Sequence, residues 1–439
     1  MTVTGQSAVA YLFDDADRLI GVTRDTMSVG MSYDDANRRS TLTMPNGIVT
    51  EYGYDDGNQV TSITYRHGAT TLGDLSYSYD ASGRRTHTGG SWARTGLPQA
   101  RALAVYDAAN ELIGWGPQML SYDPNGNLAS DGLTSYAWDA RNQLTGLSGG
   151  TSVSFAYDGL GRRRGKTVGG TTTNFLYDGL NLVQELSGST ATANLLTGGG
   201  VDEAFIRTDA SGTSAFLRDT LGSALALADA SGAVLTQYTF DPFGTTTSSG
   251  ATSSNALQFT GRENDGTGLY YFRARYQNAG LGRFVSEDPI GFQAGINLYA
   301  YADDSPINLV DPLGTQALPA PAPSPGPAWF PWLPWLSEPH DLLPRDYYVR
   351  ESPYPKDKPK ECPDWHRRWG CLASGSLTPT KKHENGSQAQ LLVYALGYGD
   401  TEGEAAKKAL DNVQSAVPPT YTPGWWYVRH PKIIKCWKQ

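Results

Sequence analysis

The chain has 439 residues, among them 50 glycines and 25 tyrosines, and charged residues make up only 18% of it. That length allows a large core and more than one domain; few windows hold a helical period, so the composition points to turn-rich β structure. No apolar run is long enough to cross a membrane as a helix, and "MTVTGQSAVAYLFDD" lacks a basic stretch followed by an apolar one, so an ordinary secretion signal is not expected. Net charge is −9, unevenly placed: residues 316–439 hold 15 Lys+Arg against 12 Asp+Glu, leaving 20 against 32 in the residues before them. An acidic body with a mildly basic tail implies two parts with different partners. The cysteines Cys362, Cys371 and Cys436 all lie in the tail, so disulfides do not hold the body together.

Residues 1–200 repeat themselves. "YLFDDADRLIGV", "YGYDDGNQVTSI", "YAWDARNQLTGL" and "FLYDGLNLVQEL" are variants of one unit, anchored by Asp14, Asp34, Asp55, Asp80, Asp107, Asp123, Asp139, Asp158 and Asp178 at gaps of 16 to 27 residues. A loose period near twenty marks a stacked array. In "NFLYDGLNLVQEL", alternation around Phe175 and Tyr177 predicts a strand, Asp178-Gly179 a turn, and Leu182-Val183 the return strand. One hairpin cannot bury its apolar face, so neighbours stack into a long sheet. The aspartates are read as turn formers, since no stretch has calcium-loop spacing. Strand tyrosines pack on their neighbours; sugar binding is the alternative use of those at the surface.

This tyrosine–aspartate repeat resembles the Rhs/YD-repeat family over Tyr11 to Gly314. The resemblance implies a mainly β protein, with stacked YD-repeat hairpins forming part of a hollow β-sheet shell. Residues 201–315 resemble the Rhs repeat-associated core domain, most clearly in "LQFTGRENDGTGLYYFRARYQNAGLGRFVSEDPIGFQAGINLYAYADDSPINLVDPLG". In that family the core plugs the shell, and many members cut their own chain just after the second Asp-Pro-x-Gly-Leu, freeing a variable C-terminal toxin. The implied chemistry is an aspartyl protease's: two carboxylates activate a water against the scissile carbonyl. Asp288 and Asp311 match the pair, and Arg275 matches an arginine beside it. The expected cut is Thr315–Gln316, with Gly314–Thr315 second. Where relatives carry leucine after each Asp-Pro-x-Gly, this chain has Phe292 and Thr315. Asp-Pro-x-Gly is also a good turn, and Asp123-Pro124 and Asp241-Pro242 show Asp-Pro used elsewhere.

Residues 316–361 are a proline- and tryptophan-rich linker, and residues 362–439 are expected to be a small C-terminal α+β domain. "SQAQLLVYALGYG" predicts a strand, and a Thr401/Glu404 capping box opens a helix that Pro418 stops. "GWWYVRHPKIIKCWK" predicts a last strand. Its Arg429, His430, Lys432, Lys435 and Lys438, interleaved with tryptophans, are candidate nucleic-acid contacts. The alternative is an ordinary strand with one basic face. Residues 393–410 faintly resemble the end of a double-stranded-RNA-binding domain, with Glu402 and Glu404 where basic residues are expected. Zinc at Cys362, His366, Cys371 and Cys436 is an alternative to a disulfide, but the spacings match no standard site, so no cofactor or metal is expected.

The resemblance implies the C-terminal part of a secreted or surface-delivered toxin used in interbacterial competition, exported by type VI or toxin-complex machinery. Its implied partners are a cognate immunity protein, the secretion machinery and a target-cell macromolecule such as nucleic acid. The competing readings are a non-catalytic adhesion protein binding carbohydrate and a silent orphan tip.

Overall fold

In the computed structural model, the structure describes residues 3, 6–98, 100 and 103–319, and the backbone of 369–379, 391–399 and 426–438. The Tyr-Asp pairs mark its hairpins. At Asp34 the backbone N–H donates to Arg38 O (2.9 Å), and Asn37 N–H donates back to Asp34 O (3.0 Å). The carboxylate oxygen Oδ1 of Asp34 accepts from the N–H groups of Ala36 and Arg38 at 3.0 and 2.9 Å. Residue +3 is left-handed, with φ of +62° at Asn37 and +79° at Gly161, which is why it is Asn, Asp or Gly. The strand slips register just before the aspartate, between Ser32 and Tyr33 and between Gly53 and Tyr54.

The tyrosine ties one repeat to the one before. Tyr33 OH donates to Leu19 O (2.6 Å), Tyr54 OH to Arg39 O (2.8 Å), Tyr79 OH to Val60 O (2.7 Å) and Tyr157 OH to Leu144 O (2.6 Å). Each acceptor lies five residues after the preceding aspartate. Where the residue at +4 is arginine, the aspartate's second oxygen, Oδ2, holds it: Arg18 on Asp14 and Arg38 on Asp34, both at 2.7 Å. These guanidiniums lie over the next repeat's Tyr33 and Tyr54 rings, at 5.0 and 4.6 Å. The aspartates are therefore turn formers, with an added role in stacking.

These hairpins chain into sequential antiparallel sheets. The first has eight strands, from Ala10–Phe13 to Arg85–Gly89; a long sheet has fourteen, from Ser121–Tyr122 to Thr246–Gly250. The long sheet crosses residue 200 unbroken, and Asp219, Asp229 and Asp241 repeat the same turn. A four-stranded sheet follows, made of Glu263–Asn264, Leu269–Phe272, Arg275–Asn278 and Arg283–Phe284.

The long antiparallel sheets are those of the β-sheet shell that the resemblance implies, and where two of them meet, their apolar inner faces pack on one another. Val22, Ile48, Ile63 and Tyr65 of the first sheet share one core with Leu195, Phe216, Leu217 and Leu227 of the long sheet. Tyr65 OH donates to Arg218 O (2.6 Å), and Arg39 pairs with Glu203 (2.7 Å) across the same interface. The four-stranded sheet is buried on both faces, as its unbroken apolar run "LYYF" requires. Tyr270 and Phe272 enter that first core, while Leu269 and Tyr271 enter a second with Leu128, Leu144 and Phe155.

The chain divides into two compact units, Met1–Tyr347 and Tyr348–Gln439. The second contains an antiparallel sheet ordered Leu391–Gly399, Trp369–Pro379, Trp426–Lys438. Two of these are the expected strands; Trp369–Pro379 was not foreseen. Pro431, which has no N–H to give, falls where the register slips opposite Gly375. The helix expected after Gly399 lies outside the described residues, as do Cys362 and His366.

Candidate active site

Both Asp-Pro-x-Gly segments fold as relatives of the repeat turn. Gly291 N–H donates to Asp288 O (2.9 Å), and Gly314 N–H to Asp311 O (3.4 Å). Oδ1 of Asp288 accepts from Ile290 N–H (3.0 Å). Oδ1 of Asp311 accepts from Thr315 N–H (3.0 Å) and Gln316 N–H (3.1 Å). Each Oδ2 then points at Arg275, whose Nη2 lies 2.6 Å from Asp288 and 3.2 Å from Asp311. Turn former and site residue are thus the same carboxylate, divided between its two oxygens.

Arg275 opens the strand Arg275–Asn278 and has only 3% of its side chain exposed. It lies over the Phe284 ring at 3.6 Å and donates from Nη1 to Leu298 O (2.8 Å). Its Nε donates to Gly314 O at 2.5 Å. One guanidinium therefore bridges both carboxylates and donates to the carbonyl of the Gly314–Thr315 bond, the second of the two expected cuts. Gly314 has φ +70°, and a Cβ there would collide with the Phe272 carbonyl, so only glycine fits.

Burial pushes the Asp288 carboxyl up to about 6, against the pull of Arg275 and the Ile290 N–H. Burial raises Asp311 too, opposed by Arg275 and by the N–H groups of Gln316, Thr315 and Gly314. The Arg275 guanidinium is itself lowered by burial, with both carboxylates opposing. Two raised carboxyls around one buried cation make a site in which a proton can be held near neutral pH.

The structure brings together the three residues singled out from the sequence, and two that were not singled out lie against the same segment. Arg273 donates from Nη1 to Pro312 O and pairs with Asp202 at 2.6 Å. The signal was available in "FRARYQ", where a second arginine stands two residues from Arg275. Asp202 lies 71 residues away in an unremarkable loop, and nothing local marked it. Phe292 is exposed, and Thr315 is half-buried beside Asp311.

Arg429, His430, Lys432, Lys435 and Lys438 all fall on the strand Trp426–Lys438. On the same strand Cys436 stands in register opposite Cys371. Among the described residues no cluster has the make-up of a metal site, and no helix is long and apolar enough to cross a membrane.

A family model described as the teneurin YD-shell matches residues 69–307. The tRNA3(Ser)-specific nuclease WapA of Bacillus spizizenii is 29% identical over 361 residues, covering 69% of this chain and 15% of that protein. The double-stranded DNA deaminase toxin A of Burkholderia cenocepacia is 27% identical over 370 residues, covering 69% of this chain and 25% of its own. Toxin protein Tse5 of Pseudomonas aeruginosa is 36% identical over 100 residues, covering 23% of this chain and 8% of its own. Among solved structures, the Photorhabdus luminescens Tc holotoxin pore matches with a TM-score of 0.54 at 19% identity, covering 71% of this chain and 20% of that one. The chain thus spans between 8% and 25% of the length of these curated relatives.

Proposed function

The chain belongs to the teneurin YD-shell family, and from that membership we propose that its β body carries a toxic C-terminal segment and releases it by cutting its own chain beside Asp311. The observation that carries this is the convergence of Asp288, Asp311 and the Gly314 carbonyl on one buried guanidinium.

The geometry favours the Gly314–Thr315 bond, ranked second by the sequence. Its carbonyl oxygen receives Arg275 Nε, and its nitrogen faces Asp311 Oδ1. A water adds to the Gly314 carbonyl carbon, and the carboxylate pair takes its proton. Negative charge gathers on the Gly314 oxygen, where Arg275 stabilises it. The pair returns the proton to the Thr315 nitrogen as the C–N bond breaks, leaving a Gly314 carboxylate and a Thr315 amine.

The named activities of WapA and of the deaminase toxin act on nucleic acid. We extend that target class to this tail, with the strand Trp426–Lys438 and its five basic side chains as the contact surface. Delivery into a competing cell, and an immunity protein for the producer, belong to the same proposal.

The test is intact mass of the full chain at neutral pH, beside Asp288→Asn and Asp311→Asn. A C-terminal fragment starting at Thr315, absent in both variants, is the expected result. A fragment starting at Gln316 moves the cut by one bond; an uncut wild type removes self-cleavage from the reading. Separately, expression of residues 316–439 is expected to arrest growth, and a harmless tail would favour the adhesion reading.

A further inference from the structure

We propose that Arg273 and Asp202 are positioning residues, a clamp that presents the segment 312–314 for cutting only when the long sheet is folded. This rests on the self-cutting reading and adds a condition to it.

Three consecutive residues hold three consecutive carbonyls. Arg273 Nη1 donates to Pro312 O, Ala274 N–H to Leu313 O (3.1 Å), and Arg275 Nε to Gly314 O (2.5 Å). The middle bond comes from backbone and the last from the proposed site. Only the first is tied to the body. Arg273 Nη2 donates to Leu180 O (2.9 Å) and to Asp202 Oδ1 (2.6 Å), while Nη1 also meets Asp202 Oδ2 (3.1 Å). Leu180 sits in the hairpin between Thr171–Asp178 and Asn181–Ser187. Asp202 sits between Thr190–Thr197 and Ala204–Asp209.

The clamp is held from both sides. Arg273 adopts φ +62° as the first residue of the two-residue hairpin loop between the paired Phe272 and Arg275, where the turn calls for that conformation. Asp202 is left-handed too, at +63°, and its N–H donates to Asn181 Oδ1 (2.8 Å). Asp202 also takes Arg262 Nη1 at 2.5 Å, and Arg262 in turn donates to Tyr271 O from Nε and Nη2. Burial works to raise the Asp202 carboxyl, but Arg262 and Arg273 outweigh it and hold it below its usual range. The anion is therefore fixed where Arg273 needs it.

The consequence is a licence. Two hairpins of the body must be in place before Arg273 can seat Pro312, so a half-folded chain presents no bond to cut. Release of a harmful tail before its carrier is complete is thereby suppressed.

The experiment uses the full chain. Cutting is timed by intact mass in wild type, Arg273→Ala, Arg273→Lys and Asp202→Asn, with and without millimolar guanidinium ion. Arg273→Ala is expected to slow cutting about a hundredfold, the effect of a small misplacement of reacting groups. Added guanidinium restores part of the rate, and Arg273→Lys falls between. A variant that had merely misfolded would not respond to guanidinium. In the uncut Asp288→Asn background, hydrogen exchange reads the clamp directly: Arg273→Ala is expected to expose the Thr315 and Gln316 amides. Cutting at the wild-type rate in Arg273→Ala, or unchanged protection of those amides, overturns the clamp. A wild type that stays intact overturns the self-cutting reading, and the licence with it.

Discussion

Arg163 joins the repeats to the four-stranded sheet, and its removal has a calculable cost. Its side chain is wholly buried, with Nη2 2.6 Å from Glu263 and Nη1 2.5 Å from Asp265, whose side chains are 3% and 0% exposed. It lies over the Tyr271 ring at 4.3 Å, and its backbone N–H donates to Tyr271 OH (3.0 Å). Methionine keeps the stem and the backbone bond but leaves Glu263 without its cation; Asp265 retains Lys166 at 3.0 Å. Breaking a buried pair from one side costs about 3–5 kcal/mol. Urea unfolding of the full chain, followed by circular dichroism, measures the loss. Arg163→Met with Glu263→Gln, which leaves the Asp265–Lys166 pair in place, is expected to recover most of it, because the cost is the unpaired charge rather than the lost attraction. A single variant less stable by under about 1 kcal/mol, or a double variant as unstable as the single, refutes that account.

Other outcomes are equally open to measurement. Asp288, raised to about 6 from 3.8, favours the folded state when protonated, so its contribution is present below 3.8 and lost as pH rises through 6. Asp288→Asn, which stays neutral, is expected to gain stability relative to wild type between pH 4 and 7 by denaturant midpoint. The same ionisation supplies the base for cutting, so the wild-type rate is expected to climb through about pH 6; a flat profile from 5 to 7 excludes Asp288 as base. Tyr54→Phe removes the tie to Arg39 O and is expected to cost about 1 kcal/mol; a neutral result would deny the tyrosine its stacking role. Cα partners in an antiparallel ladder lie about 4.5–5.5 Å apart, within disulfide reach. Oxidised full-length protein is therefore expected to link Cys371 to Cys436, seen as a crosslinked peptide on digestion.

The hairpins were legible because they are local: one aspartate, one left-handed residue three places on, and alternation either side. What spans repeats was not. Arg39 and Glu203 pair across 164 residues, and neither neighbourhood announces the other. Arg163 stands in "GRRRGK", a run that suggests a solvated face, yet it is wholly buried and faces two carboxylates, Glu263 and Asp265, a hundred residues on. The face-to-face packing of the sheets was equally hidden, since alternation shows that one face is buried but not against what. At the site, Asp288, Asp311 and Arg275 were found through motif resemblance; Arg273 and Asp202 act through backbone carbonyls, which carry no residue signature.

The site is best understood as a repeat turn relieved of its local arginine. In four of the repeats Oδ1 caps the turn and Oδ2 is occupied by an arginine at +4, as in Asp14–Arg18 and Asp158–Arg162, while after Asp55, Asp123 and Asp139 the +4 residue is a neutral Gln59, Asn127 or Gln143. After Asp288 and Asp311 the +4 residues are Phe292 and Thr315, and neither offers a cation. Each Oδ2 is then available to a distant one, and both choose Arg275. Thr315 N–H meets Asp311 Oδ1 at 3.0 Å, much as Arg18 N–H meets Asp14 Oδ1 at 2.9 Å, so a guanidinium restored at 315 starts from the repeat's own geometry. Thr315→Arg is accordingly expected to recapture Asp311 Oδ2 locally and stop cutting while the sheet content stays unchanged. Thr315→Leu changes the same bond without adding a cation and is expected to cut at least as fast as wild type. Equal rates in the two variants, measured by intact mass at neutral pH, would mean that the freed oxygen is not what turns this turn into a site.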